Sequence, residues 1–547
     1  MFCKPKYILT IILVLIIVIY AKANAEAGNA YMEALREILD VAPSDKIEAI
    51  EDYAEEEGAD VAFSAKDTKF LNLTLKDSII MALQNNYDIR IAKVDPLIKE
   101  KNITVEKSEF DPTLTVTGDV EDSETPSNSQ LQLGTGAKAG DFRVDTNTLN
   151  AIIEKKVETG ATFTMEYNIE RAFLDPPPFA IFNPSSEAYI EAKITQPLLK
   201  SAGIFYNRSD IYIARNDKKR SVLELKETAI EVTNSTQTAY WELVKAIEEL
   251  RVRRKSLERA EDLLKKNKIQ VDVGTMAPIE LLVAEEGVAS QLEGVVVAEN
   301  DIKDREDELM QVMNLSNNPI LSDVSIVPLD IASFQVRDVS INESIKIALE
   351  KRPEVFEQGL DIANARIKVK QEKNQLLPKL DFEAGIRYSG LAANYGNAND
   401  SVFSEDFQSE FFGVTLEVPL GNREARSNYS KAKLEEKQTV FNTRKVEQEI
   451  VVEVRKAVRQ IRTNAERIKA SKKAKELSQE RLKAEEKKFK VGRSTSLEVI
   501  RAQADLAVSE GRATNAIVDY QISLGNLDAV LGTILENNNI IIEDTGT

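Results

Sequence analysis

The sequence predicts a mainly α-helical protein that also carries two groups of β-strands and is built from two tandem repeats. The first observation is a long stretch without helix breakers, because no Gly or Pro occurs between Gly421 and Gly492. The second is that apolar residues recur there every three or four positions, as coiled-coil packing requires; they are Ile450, Val454, Ala457, Ile461, Ala465 and Ile468. The third is that separated motifs recur at constant spacing, which is the pattern of an internal duplication.

The first 25 residues are predicted to be a secretory signal peptide, outside the fold. Two lysines precede an apolar run from Ile8 to Tyr20, and Ala23-Asn24-Ala25 follows as a cleavage pattern of small residues. A retained membrane anchor is the alternative, since the apolar run is long. Residues 26–72 form an acidic extension, to which the sequence assigns no function.

The composition argues against several classes of protein. The chain has no His, and its single Cys, Cys3, lies in the predicted signal peptide. It therefore lacks the usual general base, the commonest zinc ligand and a thiolate, so we expect no enzyme, no metal site and no cofactor. The net charge of −19 disfavours binding to nucleic acid. Because no apolar run of about 20 residues follows the signal peptide, a secreted, periplasmic or β-barrel outer-membrane protein is predicted.

The first repeat is predicted over residues 73–314 and begins with a helix. Thr74 is the expected N-cap, with Asp77 three residues later as in a capping box. The helix is predicted to stop at Asp111-Pro112, where apolar residues begin to alternate with polar ones and so predict strands. Residues 151–169 predict a hairpin that either joins these strands or projects from them, and projection is preferred.

Each repeat continues with a long helix, a tight turn and a shorter returning helix. In the first repeat, the long helix covers residues 204–272, the turn is Val273-Gly274-Thr275, and the return begins at Pro278, a favourable first-turn proline. In the second repeat, the long helix, the turn and the returning helix together cover residues 427–531, and the turn is Val491-Gly492-Arg493.

The second repeat is predicted over residues 339–532, between a linker at 315–338 and a tail at 533–547. Its opening helix matches the first repeat at an offset of 266 residues, and its long hairpin matches at an offset of 218. Pairs that are identical at these offsets include Ser78/Ser344, Pro112/Pro378, Gly274/Gly492 and Glu280/Glu498. Motifs that keep register over such distances indicate a tandem duplication.

The order and lengths of the elements predict an architecture. Two short helices placed end to end have the same length as one long helix. This match of lengths predicts a bundle with the strands at one end and the Val-Gly turns at the other. The alternating strands fit either a membrane barrel or a soluble sandwich, and aromatic residues near the strand ends favour the barrel. Four to six strands per chain are too few for a channel, so oligomerisation is expected; three copies of four strands would give twelve.

The ordered set of motifs resembles the TolC family of outer-membrane efflux proteins over roughly residues 73–532. The motifs that carry the resemblance are Ala348-Leu349 with Arg352-Pro353-Glu354, Gln196-Pro197-Leu198-Leu199, Val418-Pro419-Leu420 and the two Val-Gly turns. The resemblance implies a homotrimer in which a trimeric α-barrel of long coiled helices continues into an outer-membrane antiparallel β-barrel. It implies the outer membrane of a Gram-negative-type cell, with a large periplasmic extension, as the location.

The resemblance also implies functional residues. The predicted adaptor-docking tips are Val273, Gly274, Thr275, Val491, Gly492 and Arg493. Glu498 matches an acidic position at the periplasmic aperture; because this chain has Arg501 where some family members carry a second acid, we expect a Glu498–Arg501 pair instead. The predicted helix–strand junctions are Pro112, Pro197, Pro378 and Pro419. A plain turn at each tip, and an ordinary surface carboxylate at Glu498, remain the alternatives.

The function implied is a passive export duct for small molecules or secreted polypeptides. Its partners would be outer-membrane lipid, a periplasmic adaptor (membrane fusion) protein, and an inner-membrane efflux pump or ABC secretion transporter. The alternative is a structural coiled-coil spacer in the periplasm without channel activity, which would explain the helices but not the alternating strands.

Overall fold

The computed structural model describes residues 69–126, 141–175, 180–315, 324–404 and 407–541. The predicted signal peptide, most of the acidic extension, and parts of the linker and tail lie outside the described residues. The chain divides into two compact units. The strand unit comprises residues 109–207 and 377–420, and the helical unit comprises the described parts of 63–108, 208–376 and 421–547.

The elements follow the predicted order, with additions. Up to residue 315 they are β1 (Lys69–Leu73), α1 (Leu75–Asn85), α2 (Tyr87–Lys107), β2 (Thr113–Pro126), β3 (Asp141–Lys156), β4 (Thr162–Asp175), β5 (Ser185–Pro197), α3 (Ile204–Asn207), α4 (Ser209–Asp272) and α5 (Pro278–Val312). From residue 324 they are β6 (Val324–Pro328), α6 (Ile341–Lys351), α7 (Pro353–Asn374), β7 (Lys379–Ala392), α8 (Tyr395–Phe403), β8 (Gln408–Glu417), α9 (Arg423–Lys490), α10 (Ser496–Val530) and α11 (Ile534–Asn537).

The strand unit is a six-stranded antiparallel sheet in the order β2-β3-β4-β5-β7-β8. The prediction that the hairpin at 151–169 projects is wrong, because β3 and β4 lie in the middle of this sheet, between β2 and β5. The physical reason is that apolar and polar residues alternate along β3 and β4 in phase with those of the neighbouring strands. Ile153 lies opposite Met165, and Met165 lies opposite Ala192, so an apolar row continues across the hairpin.

The cross-strand register gives the sheet one apolar face. Large apolar side chains that are exposed on this face are Leu114, Val116, Val120, Ile153, Phe163, Met165, Phe173, Phe382, Phe412, Val414 and Leu416. Near the far end of the strands the same face becomes charged, and Arg143 there donates to Asp122 at 2.8 Å and to Asp145 at 3.2 Å. The apolar side chains therefore form a band with a charged border.

Helix α8 covers part of the apolar face beside β5 and β7. Its Ala398 and Val402 are buried against Ala188 and Ala392. Gly390 permits this close packing, because a Cβ there would collide with the backbone of Ala398.

The opposite face is polar and predominantly acidic. Its carboxylates are Asp119, Glu121, Glu154, Glu166, Glu170, Glu187, Glu191, Asp381, Glu383 and Glu417, and its cations are Lys156, Lys193, Lys379 and Arg387. Arg387 donates to Glu191 at 2.7 Å, and the Tyr189 hydroxyl donates to Glu166 at 2.7 Å.

The helical unit is built on two antiparallel hairpins, α4–α5 and α9–α10, which pack against each other through α4 and α10. Helix α4 has 64 residues and α9 has 68, so each is about 100 Å long. In the stripe predicted on α9, Ile450, Val454, Ile461 and Ile468 are buried. None of the described helices combines the length and the apolar character that crossing a bilayer demands.

The short helices pack along the long ones. Helix α2 lies beside the first part of α4, where Lys218 pairs with Glu100. Farther along α4, Leu250 packs against Val295 and Ala298 of α5. The predicted capping box is present, because the Thr74 hydroxyl accepts from the Asp77 N–H and the Asp77 carboxylate accepts from the Thr74 N–H.

The opening helix of each repeat is interrupted. Asn86 leaves the helical conformation with ψ 134° and caps α2 by accepting from the N–H of Asp88 at 2.8 Å. Arg352, which precedes Pro353, has ψ 131° and separates α6 from α7. These breaks lie at the same position when the offset of 266 is applied.

A parallel pair of short strands, β1 and β6, completes the helical unit. Strand β1 uses the last four residues of the predicted acidic extension, and β6 lies within the predicted linker. Buried Glu306 of α5 accepts from the N–H of Ile326 at 3.0 Å, which satisfies a donor on β6.

Candidate functional site at the two helical turns

The first predicted docking turn closes the end of α4. The N–H of Gly274 donates to the carbonyl of Val271 at 2.9 Å, and the N–H of Thr275 donates to that of Gln270 at 2.8 Å. This pair of hydrogen bonds is the Schellman motif, which satisfies the last carbonyls of a helix. Gly274 has φ +76°, a left-handed conformation that glycine adopts without strain.

The second turn repeats this backbone at the end of α9. Gly492 has φ +70°, and its N–H donates to Phe489 at 3.0 Å while that of Arg493 donates to Lys488 at 2.9 Å. A Cβ at either turn glycine would meet no atom within 4 Å. The requirement for glycine is therefore set by the backbone angle and not by crowding within the chain.

Each turn presents an exposed valine. Val273 is 67% exposed and Val491 is 70% exposed, although valine is usually buried. Behind the turns, the two hairpins share an apolar core of Leu263, Leu482, Val499, Ala502 and Leu506. The turns are thus apolar protrusions on a packed support.

A buried polar contact joins the two hairpins behind the turns. The Asn267 amide of α4 donates to the Ser496 hydroxyl of α10 at 2.7 Å and to the Glu280 carbonyl at 3.2 Å. The Glu280 carboxylate accepts from the Ser496 N–H at 3.0 Å, which satisfies a free donor at the start of α10. Asn267 and Ser496 are fully buried, so this contact fixes the hairpins to each other.

The second turn has a different local contact. Glu485 of α9 accepts from the Ser494 hydroxyl and pairs with Lys488 at 3.0 Å. The hydrogen bond from Ser494, followed by that from Lys488, lowers the pKa of the Glu485 carboxyl. These residues fasten the turn to its own helix rather than to the other hairpin.

The two predicted aperture residues lie in the first turns of α10. Arg501 donates to Glu498 at 2.9 Å, so the expected ion pair is formed. Both side chains are largely exposed within one copy. The aperture role of these residues stays a prediction.

The four predicted junction prolines lie at strand ends in the strand unit. Pro112 directly precedes β2, Pro378 directly precedes β7, and Pro197 is the last residue of β5. Pro419 lies two residues after β8. Proline lacks an N–H and breaks helices, so it suits the point where a helical segment gives way to a strand.

Sequence reasoning missed the roles of Asn267, Glu280 and Ser496. Glu280 was noticed as the counterpart of Glu498 at the offset of 218, but its contact depends on a residue more than 200 positions away. Polar residues at helical spacing are usually solvated, and only the packing of α4 against α10 distinguishes Asn267 from its neighbours.

A comparison with known proteins decides the family. The profile of the family described as outer membrane efflux protein matches residues 79–315 and 344–533. The chain belongs to this family. Membership of the outer membrane efflux family confirms the resemblance predicted from the sequence and the predicted outer-membrane location. It also agrees with the prediction that the chain is not an enzyme.

Individual members of the family are distant relatives. The outer membrane protein TolC of Escherichia coli K12 is 24% identical over 324 residues, which cover 57% of this chain and 63% of that protein. The match thus spans less than two thirds of that relative.

Solved structures give the fold. The structure of CusC superposes with a TM-score of 0.61 at 16% identity, covering 86% of this chain and 95% of CusC. VceC of Vibrio cholerae gives 0.60 at 14% identity, covering 84% and 96%. These likenesses confirm the mainly α fold with its strand unit.

Proposed function

We propose that this protein is a passive export duct in which three copies close their sheets into a β-barrel in the outer membrane. The observation that carries the proposal is the six-stranded sheet with one apolar face and one polar face. A membrane barrel requires this pair of faces, with lipid outside and water inside. CusC, which shares the fold, is described as forming a transmembrane channel.

The edges of the sheet support closure between copies. Among the described residues, β2 and β8 each pair with a strand on one side only. An open edge is not tolerated in lipid, because its N–H and C=O groups have no water to bind. In a sheet of six antiparallel strands the two edges run in opposite directions, so β8 of one copy can pair with β2 of the next in antiparallel fashion.

The number of strands gives the width of the channel. Three copies of six strands supply 18, not the twelve expected from the sequence. Barrels of about 16–18 strands leave an aqueous channel, whereas about eight strands are filled by their own side chains. The acidic polar face would line this channel, so the duct would favour cations over anions.

The remaining parts of the proposal concern assembly. The long hairpins would form the trimeric α-barrel in the periplasm, and the Val-Gly turns would dock the periplasmic adaptor that connects an inner-membrane efflux pump or ABC transporter. Glu498 and Arg501 would line the aperture. The alternative, a coiled-coil spacer without channel activity, gives no account of an exposed apolar band on a sheet.

Conductance in planar lipid bilayers tests the duct. We expect the purified trimer to conduct and to show cation selectivity in a KCl gradient, and Glu498→Gln to change the block by divalent cations. A trimer that inserts without conducting, or never inserts, contradicts the proposal.

Cross-linking tests the closure of the barrel. Since the only cysteine lies in the predicted signal peptide, cysteines can be introduced at Thr117 of β2 and Thr415 of β8, both on the polar face. A bismaleimide should then produce covalent trimers. As a control, cysteines are introduced at Thr117 and at Ser389 of β7, which lies one strand farther from the edge of the sheet than β8. This pair should not link copies.

A further inference from the structure

The long helices of the helical unit form a layer with two different edges. In the half that contains the start of α4, neighbouring helices follow the order α2, α4, α7 and α9. In the half that contains the turns, the order is α5, α4, α10 and α9. Helix α9 is therefore one edge of the layer along its whole length, and α2 with α5 forms the other.

The outer face of α2 carries an apolar stripe that one copy leaves uncovered. Its members recur every three, four or seven residues, as in a coiled-coil seam, and are 49% to 63% exposed; they are Tyr87, Ile91, Val94, Ile98 and Val105. An apolar helix face with this spacing requires a second helix as its partner.

The outer face of α9 carries a stripe of the same kind. Leu434, Phe441 and Val452 lie on it and are more than half exposed. Farther along the same face the stripe continues with small or apolar residues at intervals of seven, which are Thr463, Ala470, Leu477 and Ala484. This stripe also lacks a partner among the described residues.

Ion pairs across the layer give the relative heights of the two apolar stripes. Lys218 of α4 pairs with Glu100 of α2, Arg220 of α4 pairs with Asp361 of α7 at 2.8 Å, and Arg366 of α7 pairs with Glu436 of α9 at 3.4 Å.

Counting along the helices from these pairs matches the two stripes. Within about one residue, Ile98 is level with Phe441, Val105 with Leu434, and Tyr87 with Val452. The two edges of one copy thus carry apolar residues at equal heights, as an interface between the opposite edges of two copies requires.

Toward the turns the two edges carry opposite charge. Residues 278–302 of α5 include six acidic residues and no Lys or Arg. Residues 469–490 of α9 include nine basic residues and four acidic ones. The α5 edge is therefore negative in this half of the layer, and the α9 edge is predominantly positive.

The acids of α5 alternate with small or apolar residues on its outer face. Leu282, Glu286, Ala289, Glu293 and Val296 lie on this face, and all five are exposed. Within the part of the chain that the structure describes, neither Glu286 nor Glu293 forms an ion pair, in contrast to Glu299 on the flank, which pairs with Arg254 at 2.9 Å.

The cations of α9 alternate with its small residues in the same way. Lys473, Arg481 and Lys488 lie on the outer stripe between Ala470, Leu477 and Ala484. Each cation also pairs with an acid of its own chain, Lys473 with Glu476, Arg481 with Asp505, and Lys488 with Glu485. Exposed pairs of this kind contribute little, so they leave the cations available to a stronger field.

Ion pairs give the relative heights of the charged stripes as well. Arg254 pairs with Glu299 of α5, Arg259 of α4 pairs with Glu510 of α10 at 3.0 Å, and Arg481 of α9 pairs with Asp505 of α10 at 2.7 Å.

The acids of α5 fall between the cations of α9. Counting from the pairs that give the heights puts Glu286 level with Ala484 and Glu293 level with Leu477. Glu286 is thus at a height between Arg481 and Lys488 of α9, and Glu293 is at a height between Lys473 and Arg481.

We propose that α9 of one copy packs against α2 and α5 of the next copy, through an apolar seam at α2 and a charge-paired seam at α5. The inference rests on the proposed function, which supplies three copies, and it assigns the helix faces and charges through which they meet. Such a contact is head to tail and can close a ring.

The order of elements along the chain supports a second copy as the partner. Helix α2 leads into β2 and α9 follows β8, and these strands are the two edges of the sheet. The copies that would pair β8 with β2 are therefore the same copies that would pair α9 with α2. An unrelated protein would have to reproduce the heights and charges that the chain itself provides.

Engineered disulfides test the apolar seam. In the full-length variant I98C/F441C, mild oxidation should produce covalent oligomers on a non-reducing gel, because a disulfide requires Cα atoms within about 7 Å. The control variant I91C/F441C moves one cysteine by seven residues, about 10 Å, along the same face of α2. It should produce few or none.

Charge reversal tests the charged seam. In detergent at low NaCl, E286K/E293K should raise the dissociation constant of the trimer about tenfold or more, and high NaCl should reduce this effect by screening the repulsion. Reversal on both sides, in E286K/E293K/R481E/K488E, should restore most of the assembly. The control E258K/E261K makes the same change at exposed, unpaired residues of α4, which is not an edge helix, and should assemble normally.

Three results would overturn the inference: equal linking in the two cysteine variants, no recovery on double reversal, or equal weakening by the control reversal. Loss of the salt dependence on deletion of residues 26–68, without recovery on double reversal, would assign the cations of α9 to the acidic extension. A trimer that assembles and conducts but gives one of these results contradicts only the seam, whereas a wild-type protein that never forms trimers contradicts the duct.

Discussion

The two hairpin turns have the same backbone but different side-chain chemistry. Both end a long helix in a Schellman motif with glycine at positive φ. The same motif also closes α5 at Asn314 and α10 at Gly532, so the backbone alone does not distinguish the turns. What distinguishes the two hairpin turns from these other helix ends is the exposed valine, since the matching residues Met313 and Leu531 are buried.

The difference between the turns lies in what holds them. Both turns are tied to the other hairpin by the contact of buried Asn267 with Ser496, which follows the second turn, but only the second turn is also held by Glu485 within its own hairpin. At the offset of 218, Asn267 corresponds to Glu485. Two positions that match in the repeats therefore make different contacts: Asn267 binds the other hairpin, and Glu485 binds its own.

The largest effect is expected from valine at both turn glycines. A β-branched residue in a left-handed conformation costs about 1–2 kcal/mol, so Gly274→Val with Gly492→Val should distort both turns. We expect most export of a fluorescent dye from cells to be lost while the trimer still assembles on a native gel. Asn tolerates this conformation, so the double Asn variant should retain export; full export in the valine variant would reduce the turns to simple connections.

A second prediction concerns a buried carboxyl group of α7 that lies near two carboxylates of α4. Glu357 of α7 is 8% exposed, and its Oε1 lacks a hydrogen-bond partner among the described residues. Burial, and then repulsion from Glu227 and Glu224 of α4, raises its pKa to about 7, against a contribution from Arg220 that lowers it. At the offset of 218, Glu224 and Glu227 of α4 correspond to Asn442 and Lys445 of α9, which carry no negative charge.

The pH dependence of stability follows from this shift. A raised pKa means that the fold favours the protonated form, so the stabilisation is complete below pH 4.5, the ordinary value, and is lost as the pH rises through about 7. Glu357→Gln should therefore raise stability at pH 8 by up to about 3 kcal/mol and have little effect at pH 4.5. Thermal unfolding followed by circular dichroism measures this, with the exposed Glu350→Gln as control; a constant difference across pH would contradict it.

The smallest effect is expected at the contact between the hairpins. Asn267→Leu removes the donor to the buried Ser496 hydroxyl and should cost about 1–3 kcal/mol. Glu485→Gln, at the matching position, should cost less. Its effect should be present at neutral pH and vanish as the pH falls through the lowered pKa of Glu485. Equal losses at pH 7 would contradict the expected difference between the two matching positions, Asn267 and Glu485.

The sequence predicted those parts of the fold that depend on local signals. Long helices follow from the absence of Gly and Pro, and the turns follow from Gly274 and Gly492, whose backbone angle few residues adopt. Thr74 with Asp77 marked a helix start correctly. Each of these features is determined by residues within a few positions of one another.

The sequence did not predict features that depend on distant partners. The alternation of apolar and polar residues over 151–169 fits a projecting hairpin as well as two central strands. Which of the two forms depends on pairing with β2 and β5, and these partners are not visible in the local sequence. Strand β1 is five residues long and gains a partner only in β6. Helix α8 lies in an Asn-rich stretch whose local signals resemble a turn, although Asn394 caps it by accepting from the N–H of Asn397 at 3.0 Å.

The even number of strands in the sheet has a consequence for how such a channel can change its width. One copy can join the next in antiparallel fashion only if its first and last strands run in opposite directions, which requires an even count. An insertion must therefore bring two strands at once, as β3 and β4 do, and its deletion would leave β2 and β5 correctly oriented to pair. The circumference of a ring of three copies would then grow in steps of six strands, so a change of pore size in this fold would be abrupt rather than gradual.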